Sequence, residues 1–229
     1  MLEVPLGLLT DWLGYIADNP DEFAAMARQH MTMVLVGEFA AILVAVPAGI
    51  AATRDERVGR LVMNLGAVAQ TVPPLAVIAL SFTALGLGYE PAVLALFLYA
   101  LLPILKNTVA GIRGVDDAQT EAGKGMGMTS LQRLRRIELP LALPVIFAGI
   151  RTSTVLSIGV AYLGAFIGAG GFGQWVILGQ QQFRTDVLLA GSIPGALLVV
   201  ALDRTFEWLE GRVIPTTISA DGAAEETVA

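Results

Sequence analysis

The amino-acid sequence predicts an all-α integral membrane protein with about five transmembrane helices. Of the 229 residues, 55% are hydrophobic and only 15% are charged, whereas about a quarter of the residues of an average soluble domain are charged. The apolar residues are gathered into long segments, and a helix needs about 20 such residues to cross a bilayer. This composition excludes an ordinary soluble enzyme.

Five apolar segments account for the predicted spans. The second and fourth are longer than one straight crossing requires, so we expect a tilted, broken or interfacial part in each. Prolines within or near the spans should kink them where neighbouring helices satisfy the freed backbone groups. The spans cover residues 31–52, 61–87, 91–112, 139–168 and 187–206.

Basic residues predict the orientation of these spans, because cytoplasmic loops carry an excess of lysine and arginine. Two loops on the same side of a five-span arrangement hold most of them, namely Arg54, Arg57, Arg60, Lys124, Arg133, Arg135 and Arg136. That side is therefore predicted to be cytoplasmic, with the N-terminus outside the cell membrane and the C-terminus inside.

The two ends of the chain differ from its centre in composition. Residues 1–30 hold five acidic residues against Arg28 and are predicted to form an external N-terminal segment. Residues 213–229 are acidic and contain no basic residue, which predicts a disordered cytoplasmic tail. Neither end offers a basic patch for nucleic acid. Residues 31–212 form the transmembrane domain between them.

A polar island lies between the third and fourth spans, and two helix-start signals flank residues 121–127. Asp116 can form a capping box with Gln119, and Thr129 can form one with Gln132. The pattern predicts two short helices in succession.

Glycine and proline set the predicted limits of those two helices. Gly125 and Gly127 should form the turn between them, and Pro140 should stop the second one. A compact helix–turn–helix between membrane spans is suited to dock onto a cytoplasmic partner.

The glycine-rich loop, residues 168–175, separates the fourth and fifth spans. Four glycines in six residues cannot hold a stable exposed helix, so the chain should break there. A sixth membrane segment at about residues 175–182, in a re-entrant position, is the main rival topology.

A charged residue inside a predicted span is costly unless it is paired or faces a wet cavity. Glu38 is in the first span, Lys106 late in the third and Arg151 in the fourth. They are candidates for the lining or gating of a translocation path. The alternative, which we favour, is that Lys106 reaches the cytoplasmic edge of the membrane and that Arg151 has a structural role as a partner of Glu38.

The second span contains a further candidate for the translocation path at Gln70, Thr71 and Pro73. Pro73 is followed by Pro74, and two prolines free backbone carbonyls beside two hydrogen-bonding side chains. A broken helix that lines a passage would have this composition. A kink packed against neighbouring helices is the alternative.

Catalytic and metal-binding patterns are missing from the sequence. It contains no cysteine, a single histidine and no phosphate-binding loop, because Lys124 lacks both the upstream glycine spacing and a following Ser or Thr. We therefore expect no enzyme activity, no metal and no cofactor in this chain.

The polar island resembles the EAA loop of ABC-transporter permease subunits. The residues in register are Glu121, Ala122, Gly127, Ile137, Leu139 and Pro140, and Gly123 replaces the third small residue. The resemblance implies a type I ABC importer permease fold with a coupling loop at 116–138. It also implies that the first short helix fits a cleft of a separate ATPase subunit, which binds the ATP. Coupling to the ATPase is thereby assigned to Glu121, Ala122, Gly123, Gly127, Ile137 and Pro140.

Further segments resemble the osmoprotectant branch of that family, whose members import glycine betaine, choline, carnitine or related compounds. They lie at residues 70–73, 95–103, 139–144, 148–152, 167–173 and 190–194. The resemblance implies an external substrate-binding protein and a second permease chain, identical or homologous. A methionine-type amino-acid importer is the nearest alternative, and an osmotic channel without an ATPase is the alternative from another class.

Quaternary ammonium groups are usually recognised by an aromatic cage. This chain has only three Trp and four Tyr, scattered along its length. Substrate selection is therefore better placed in the binding protein, which leaves the permease a passage of low affinity.

Overall fold

The computed structural model describes residues 8–213, and this part of the chain contains ten α-helices. A π-helical turn at Leu134–Glu138 (the π segment) and a 3-10 helix at Tyr162–Ile167 complete the helical structure. The α-helices are Leu8–Asp18 (α1), Pro20–Arg54 (α2), Glu56–Thr71 (α3), Pro74–Leu85 (α4), Tyr89–Arg113 (α5), Asp117–Gly125 (α6), Ser130–Arg133 (α7), Leu139–Ala161 (α8), Gly173–Gln182 (α9) and Thr185–Val213 (α10).

Four helical stretches are long and apolar enough to cross a membrane: α2, α5, the stretch Ser130–Ile167 and α10. The pair α3 and α4 makes a fifth when it is counted as one broken span, which confirms the prediction of about five. α2 begins at Pro20 instead of residue 31, so the predicted external segment is largely helical. Beyond Val213, the acidic tail falls outside the described residues.

The rival sixth crossing corresponds to α9. Its 10 residues extend for about 15 Å at 1.5 Å per residue. The hydrocarbon core of a bilayer is about 30 Å thick. α9 is therefore too short to form a complete crossing.

The second predicted span is broken by a bend of 95° between α3 and α4. Both prolines at the break lack an N–H, and Pro74 occupies the first turn of α4, where that loss is tolerated. The freed carbonyl of Val72 accepts a hydrogen bond from the Tyr99 hydroxyl on α5. The break is therefore a fixed element of the fold, held to its neighbour.

Pro140 does not stop the second short helix, and that prediction was wrong. The helix runs from Ser130 through the π segment into α8 and on to Ile167. The N–H of Leu139 donates to the carbonyl of Leu134, five residues back. The hydrogen-bond ladder is thus already widened where Pro140 has no N–H to contribute.

The centre of the molecule is α5, which packs on α2 on one side and α8 on the other. Small buried side chains line these contacts and let the helix backbones approach closely, as is usual between membrane helices. They include Ala41 and Ala45 of α2, Ala95 and Ala100 of α5, and Ala142 of α8. This packing fixes the ends of α5 and α8, between which the coupling loop lies.

Candidate functional site: coupling loop and translocation path

The coupling loop forms the predicted pair of short helices. Asp116 caps α6 by accepting a 2.8 Å hydrogen bond from the N–H of Ala118, in place of the predicted box with Gln119. The box between Thr129 and Gln132 is present in both directions, which confirms that prediction. The two capped starts explain why helices form in this polar stretch.

The turn between α6 and α7 depends on Gly127, whose φ is +78°. Residues other than glycine adopt this left-handed backbone conformation only with strain. The turn is closed by the N–H of Met128, which donates to the carbonyl of Gly123 at 3.0 Å. Gly127 therefore reverses the chain so that α7 can begin at Ser130.

α6 lies against the π segment through Gly123. A Cβ at this position would be 2.7 Å from Ile137 Cδ1 and 3.4 Å from Arg133 Cδ. The exchange of the third small residue of the EAA pattern for glycine thus matches a close contact. The sequence placed Gly123 and Ile137 in one motif, and the structure brings them together.

The outer surface of α6 carries the groups available to a partner. Glu121 and Ala122 are exposed, and Lys124 Nζ lies 2.5 Å from Glu121 Oε1. That hydrogen bond and the charge of Lys124 hold the pKa of the Glu121 carboxyl below its ordinary value. Met126, 69% exposed, and Leu131, 54% exposed, add apolar area. This loop therefore presents both charge and apolar surface to the surroundings.

An ion pair that the sequence analysis missed anchors the loop to the membrane helices. Glu138, in the π segment, is buried and pairs with Arg54 at the end of α2. A buried carboxylate needs a partner of opposite charge or several hydrogen-bond donors. The one available signal was an acidic residue between Ile137 and Leu139, two apolar neighbours.

Glu38 does not pair with Arg151, so the predicted pairing was wrong. The Glu38 carboxylate is 5% exposed and lies between α2 and α8. Its oxygens accept hydrogen bonds from the hydroxyls of Ser153 and, at 3.2 Å, Ser157. Two hydroxyls one helical turn apart on α8 thus replace the expected cation.

Arg151 instead joins α8 to α10. Its Nε lies 2.5 Å from Asp203 Oδ1 and its Nη2 lies 3.0 Å from Glu207 Oε1. Arg204 also contacts Glu207, at 3.2 Å. Position along the sequence could not reveal these partners, because they are 52 and 56 residues away.

The break between α3 and α4 holds the remaining candidates for the translocation path. The side-chain amide of Gln70 donates to the carbonyl of Tyr99 at 2.8 Å, so this residue fastens the break to α5. Thr71 and Pro73 are exposed. Within residues 8–213, no hydrogen bond or ion pair links these residues to Glu38 or Arg151. The five candidates therefore fall into three separate groups. These are the α3–α4 break with Gln70, Thr71 and Pro73, the contact of Glu38 with α8, and the contact of Arg151 with α10.

The glycine-rich loop is fastened to the first turns of α2. The N–H of Gly171 donates to Gln29 Oε1 at 3.1 Å, and Trp175 Nε1 donates to Glu22 Oε1 at 2.9 Å. Trp175 is fully buried, and the ring of Tyr15 meets it edge-on at 4.9 Å. This end of the molecule is thus packed as part of the core.

Among residues 8–213, no group of three or more His, Asp or Glu side chains is placed to hold an ion. The polar groups described above serve helix-to-helix contacts or face outward.

Comparison with known proteins gives several extensive similarities. The choline transport system permease protein OpuBB of Bacillus subtilis (strain 168) is 39% identical over 201 residues, which cover 88% of this chain and 93% of that protein. The carnitine transport permease protein OpuCD of Listeria monocytogenes serotype 1/2a is 45% identical over 82% of this chain and 84% of that protein. The osmoprotectant import permease protein OsmY of Salmonella typhimurium is 40% identical over 84% and 83%.

Two solved structures have the same fold. The MetNI methionine ABC transporter, in inward-facing conformations, contains a chain that matches with a TM-score of 0.75 at 19% identity, over 85% of this chain and 97% of that one. An amino acid ABC transporter solved with histidines matches with a TM-score of 0.66 at 18% identity, over 86% and 94%. The fold is that of type I ABC importer permeases.

Residues 42–215 match a protein family described as the binding-protein-dependent transport system inner membrane component. The match covers more than half of the chain and includes the whole coupling loop. The protein is thus a multi-pass membrane protein and a transport component, not an enzyme. Together with the identities above, these observations show that the chain belongs to the family of binding-protein-dependent transport system inner membrane components.

Proposed function

We propose that this chain is the permease subunit of an ATP-driven importer for osmoprotectants, such as glycine betaine, choline, carnitine or related quaternary ammonium compounds. One observation carries the proposal: relatives named for choline, carnitine and osmoprotectant transport are 39–45% identical over more than four fifths of both chains. Fold similarity alone would not separate this substrate class from amino acids.

A methionine-type importer is the alternative, because a methionine transporter shares the fold. That likeness is at 19% identity and concerns the fold only. The test is ATP-driven uptake in proteoliposomes that contain the permease, its ATPase and its binding protein, with betaine, choline and methionine as competitors. We expect betaine or choline to compete. Uptake blocked by methionine and indifferent to betaine would overturn the proposal.

We propose further that the coupling loop docks on a separate ATPase subunit, which binds the ATP that this chain does not bind. Glu121 and Ala122 would lie at the contact, while Gly123, Gly127, Ile137 and Pro140 hold its shape. The exposed charge on α6 and the exposed apolar area at Met126 and Leu131 of the same loop support this assignment. Co-purification of a soluble ATPase with the permease would separate an importer from an osmotic channel, which needs none.

A second permease chain, identical or homologous, and an external binding protein would complete the complex. The α3–α4 break supports this arrangement, because Thr71 and Pro73 face away from the core of the single chain. We propose that they and Gln70 border the translocation path between two permeases. The contacts of Glu38 and Arg151 favour a structural role beside that path.

The path can be tested with single cysteines, since the native chain has none. Thiol modification of Thr71→Cys should block uptake, and substrate should slow the modification. Leu35→Cys, exposed on α2, is the matched control. Equal uptake by the modified and unmodified Thr71→Cys complexes would exclude this position from the path.

We propose that the coupling loop and the C-terminus are cytoplasmic and that the N-terminus is external. The basic residues at the end of α2, the start of α3 and the coupling loop support this orientation. In intact cells, an impermeant thiol reagent should label Gln181→Cys, at the opposite end of the molecule, and should not label Ser130→Cys. Labelling of Ser130→Cys from outside would reverse the topology.

A further inference from the structure

A cavity of about 300 Å³ lies behind the coupling loop, where the ends of α2 and α5 meet α6, α7 and the π segment. Four cationic and two acidic side chains line it, which leaves its wall with a net charge of +2. The charged residues are Arg54, Arg113, Lys124, Arg133, Asp117 and Glu138. The cavity therefore favours an anion.

Two of the four cations are already neutralised by carboxylates. Arg54 pairs with Glu138, and Lys124 pairs with Glu121 on the outer surface of α6. Arg113 and Arg133 have no carboxylate partner among the described residues. These two guanidinium groups are the ones available to a ligand.

Arg133 has hydrogen-bonding capacity to spare at a half-buried position. Its Nη1 donates to the carbonyl of Met128 at 3.3 Å, but its Nε is buried without a partner in the described structure. A buried guanidinium N–H without an acceptor is unfavourable, and buried polar groups in folded proteins are nearly always paired. Since Nε is closed off from solvent, a ligand in the cavity would meet the outer nitrogens of this guanidinium, of which Nη2 makes no hydrogen bond within residues 8–213.

We propose that this cavity binds a phosphate group, carried on an anionic lipid headgroup or free in solution. Guanidinium groups present several N–H donors in a planar fork that matches phosphate oxygens. A phosphate supplies three or more acceptor oxygens and a negative charge, which complements the two guanidinium groups that have no carboxylate partner. One such group is able to contact Arg113 of α5 and Arg133 of α7 together.

The site adds a contact between the membrane helices and the coupling loop. Arg113 is the last residue of α5, whereas Arg133 is the last residue of α7 and contacts the turn at Met128. A ligand held by both ties the loop to the bundle beside the Arg54–Glu138 ion pair. Occupancy should therefore stabilise the full chain against heat, because a ligand that binds only the folded state raises its stability.

The test uses the purified full-length chain in nanodiscs of phosphatidylcholine. One arm adds inorganic phosphate; the other includes phosphatidylglycerol in the bilayer and counts retained lipids by native mass spectrometry. At least one arm should show binding and a rise in melting temperature, and higher salt should weaken it. The arm that responds identifies the source of the phosphate.

Three variants decide the assignment. Arg113→Gln and Arg133→Gln should each weaken binding on the order of tenfold, because each removes a charge-assisted contact. Arg135→Gln is the control. Arg135 is exposed on the π segment, two residues after Arg133, and does not line the cavity. Arg113→Gln remains decisive if Arg133→Gln fails to fold, since the Arg113 side chain makes no hydrogen bond within residues 8–213.

Two results would overturn the proposal. One is the absence of binding by the wild type in both arms. The other is binding by Arg113→Gln and Arg133→Gln that equals the wild type in both arms; loss of ATPase association in the same variants would then assign the cavity to a carboxylate of the partner subunit. Neither result depends on the transported substrate, so the osmoprotectant proposal is tested separately.

Discussion

The coupling loop and the glycine-rich loop are both polar, glycine-containing interruptions between apolar helices, yet they are built in opposite ways. Around the coupling loop, charged and apolar side chains such as Glu121 and Met126 face outward. In the glycine-rich loop, Gly171 and Trp175 are buried and hydrogen-bonded to α2. The difference teaches that glycine content marks a turn but not its exposure.

The helices next to each loop determine whether it is buried or exposed. The glycine-rich loop packs against the first turns of α2. These turns precede residue 31, the predicted start of the first span, and supply Glu22 and Gln29 as hydrogen-bond partners. The coupling loop is attached to α2 by the ion pair of Glu138 with Arg54, and most of its other residues are exposed. A change in the glycine-rich loop should therefore affect mainly stability, and a change in the coupling loop should affect mainly transport.

The largest expected effect is on stability, at Trp175. Trp175→Ala should reduce the free energy of unfolding by about 3–5 kcal/mol, because it removes a fully buried side chain and its bond to Glu22. Thermal unfolding of the purified protein measures the loss. Trp208→Ala, at a site 55% exposed, is the control and should cost less than about 1 kcal/mol. Equal losses would mean that the burial of Trp175 in the glycine-rich loop adds nothing to stability.

The second prediction concerns transport without loss of stability. Glu121→Lys should lower ATP-driven uptake by about tenfold or more, because it reverses a charge at the proposed ATPase contact. The variant should still insert and unfold like the wild type, since Glu121 is exposed. Glu56→Lys reverses an exposed charge at the start of α3 and should transport normally. Wild-type uptake and ATPase association by Glu121→Lys at matched expression would contradict the coupling assignment.

A matched pair of glycines sharpens the comparison further. Gly127 and Gly171 have φ of +78° and +83°, so alanine is strained at both. Gly127→Ala should cost about 1–2 kcal/mol from that strain alone, because nothing lies within 4 Å of the added Cβ. Gly171→Ala should cost more, since its Cβ would be 3.1 Å from His30 Nδ1. Unfolding midpoints measured side by side would refute this order if the two variants coincide.

The smallest effect is expected at Gly123, where alanine would restore the third small residue of the motif. Helix propensity favours alanine by about 1 kcal/mol, and crowding against the end of the Ile137 side chain opposes it. Gly123→Ala should therefore change stability by less than about 1 kcal/mol and keep transport. Gly123→Leu is too large to be accommodated by a small shift of the Ile137 side chain and should impair uptake. Strong loss with alanine would mean that the contact is rigid.

Much of this architecture could be predicted from the sequence because its causes are local. Apolar length predicted the membrane spans, and the side chains of Asp116 and Thr129 predicted where α6 and α7 begin. Pro140 misled because the π segment before it had already widened the hydrogen-bond ladder. The rule that proline ends a helix considers one residue alone and does not include such a change in the preceding hydrogen bonds.

The partners of charged residues could not be predicted, because they come from distant parts of the chain. Glu38 is 115 residues from Ser153, and Arg54 is 84 residues from Glu138. A sequence shows that a charge in an apolar stretch needs a partner, yet several candidates satisfy that need equally. The packing of α2, α5 and α8 chooses among them.

The π segment makes the coupling loop and a membrane span parts of one helix. The helical stretch from Ser130 to Ile167 is continuous over 38 residues, which corresponds to a length on the order of 50 Å. α7 is therefore joined to α8 without an intervening loop, so a displacement of α7 would be passed directly to the span. The Arg54–Glu138 ion pair attaches the widened turn at Leu134–Glu138 to the end of α2.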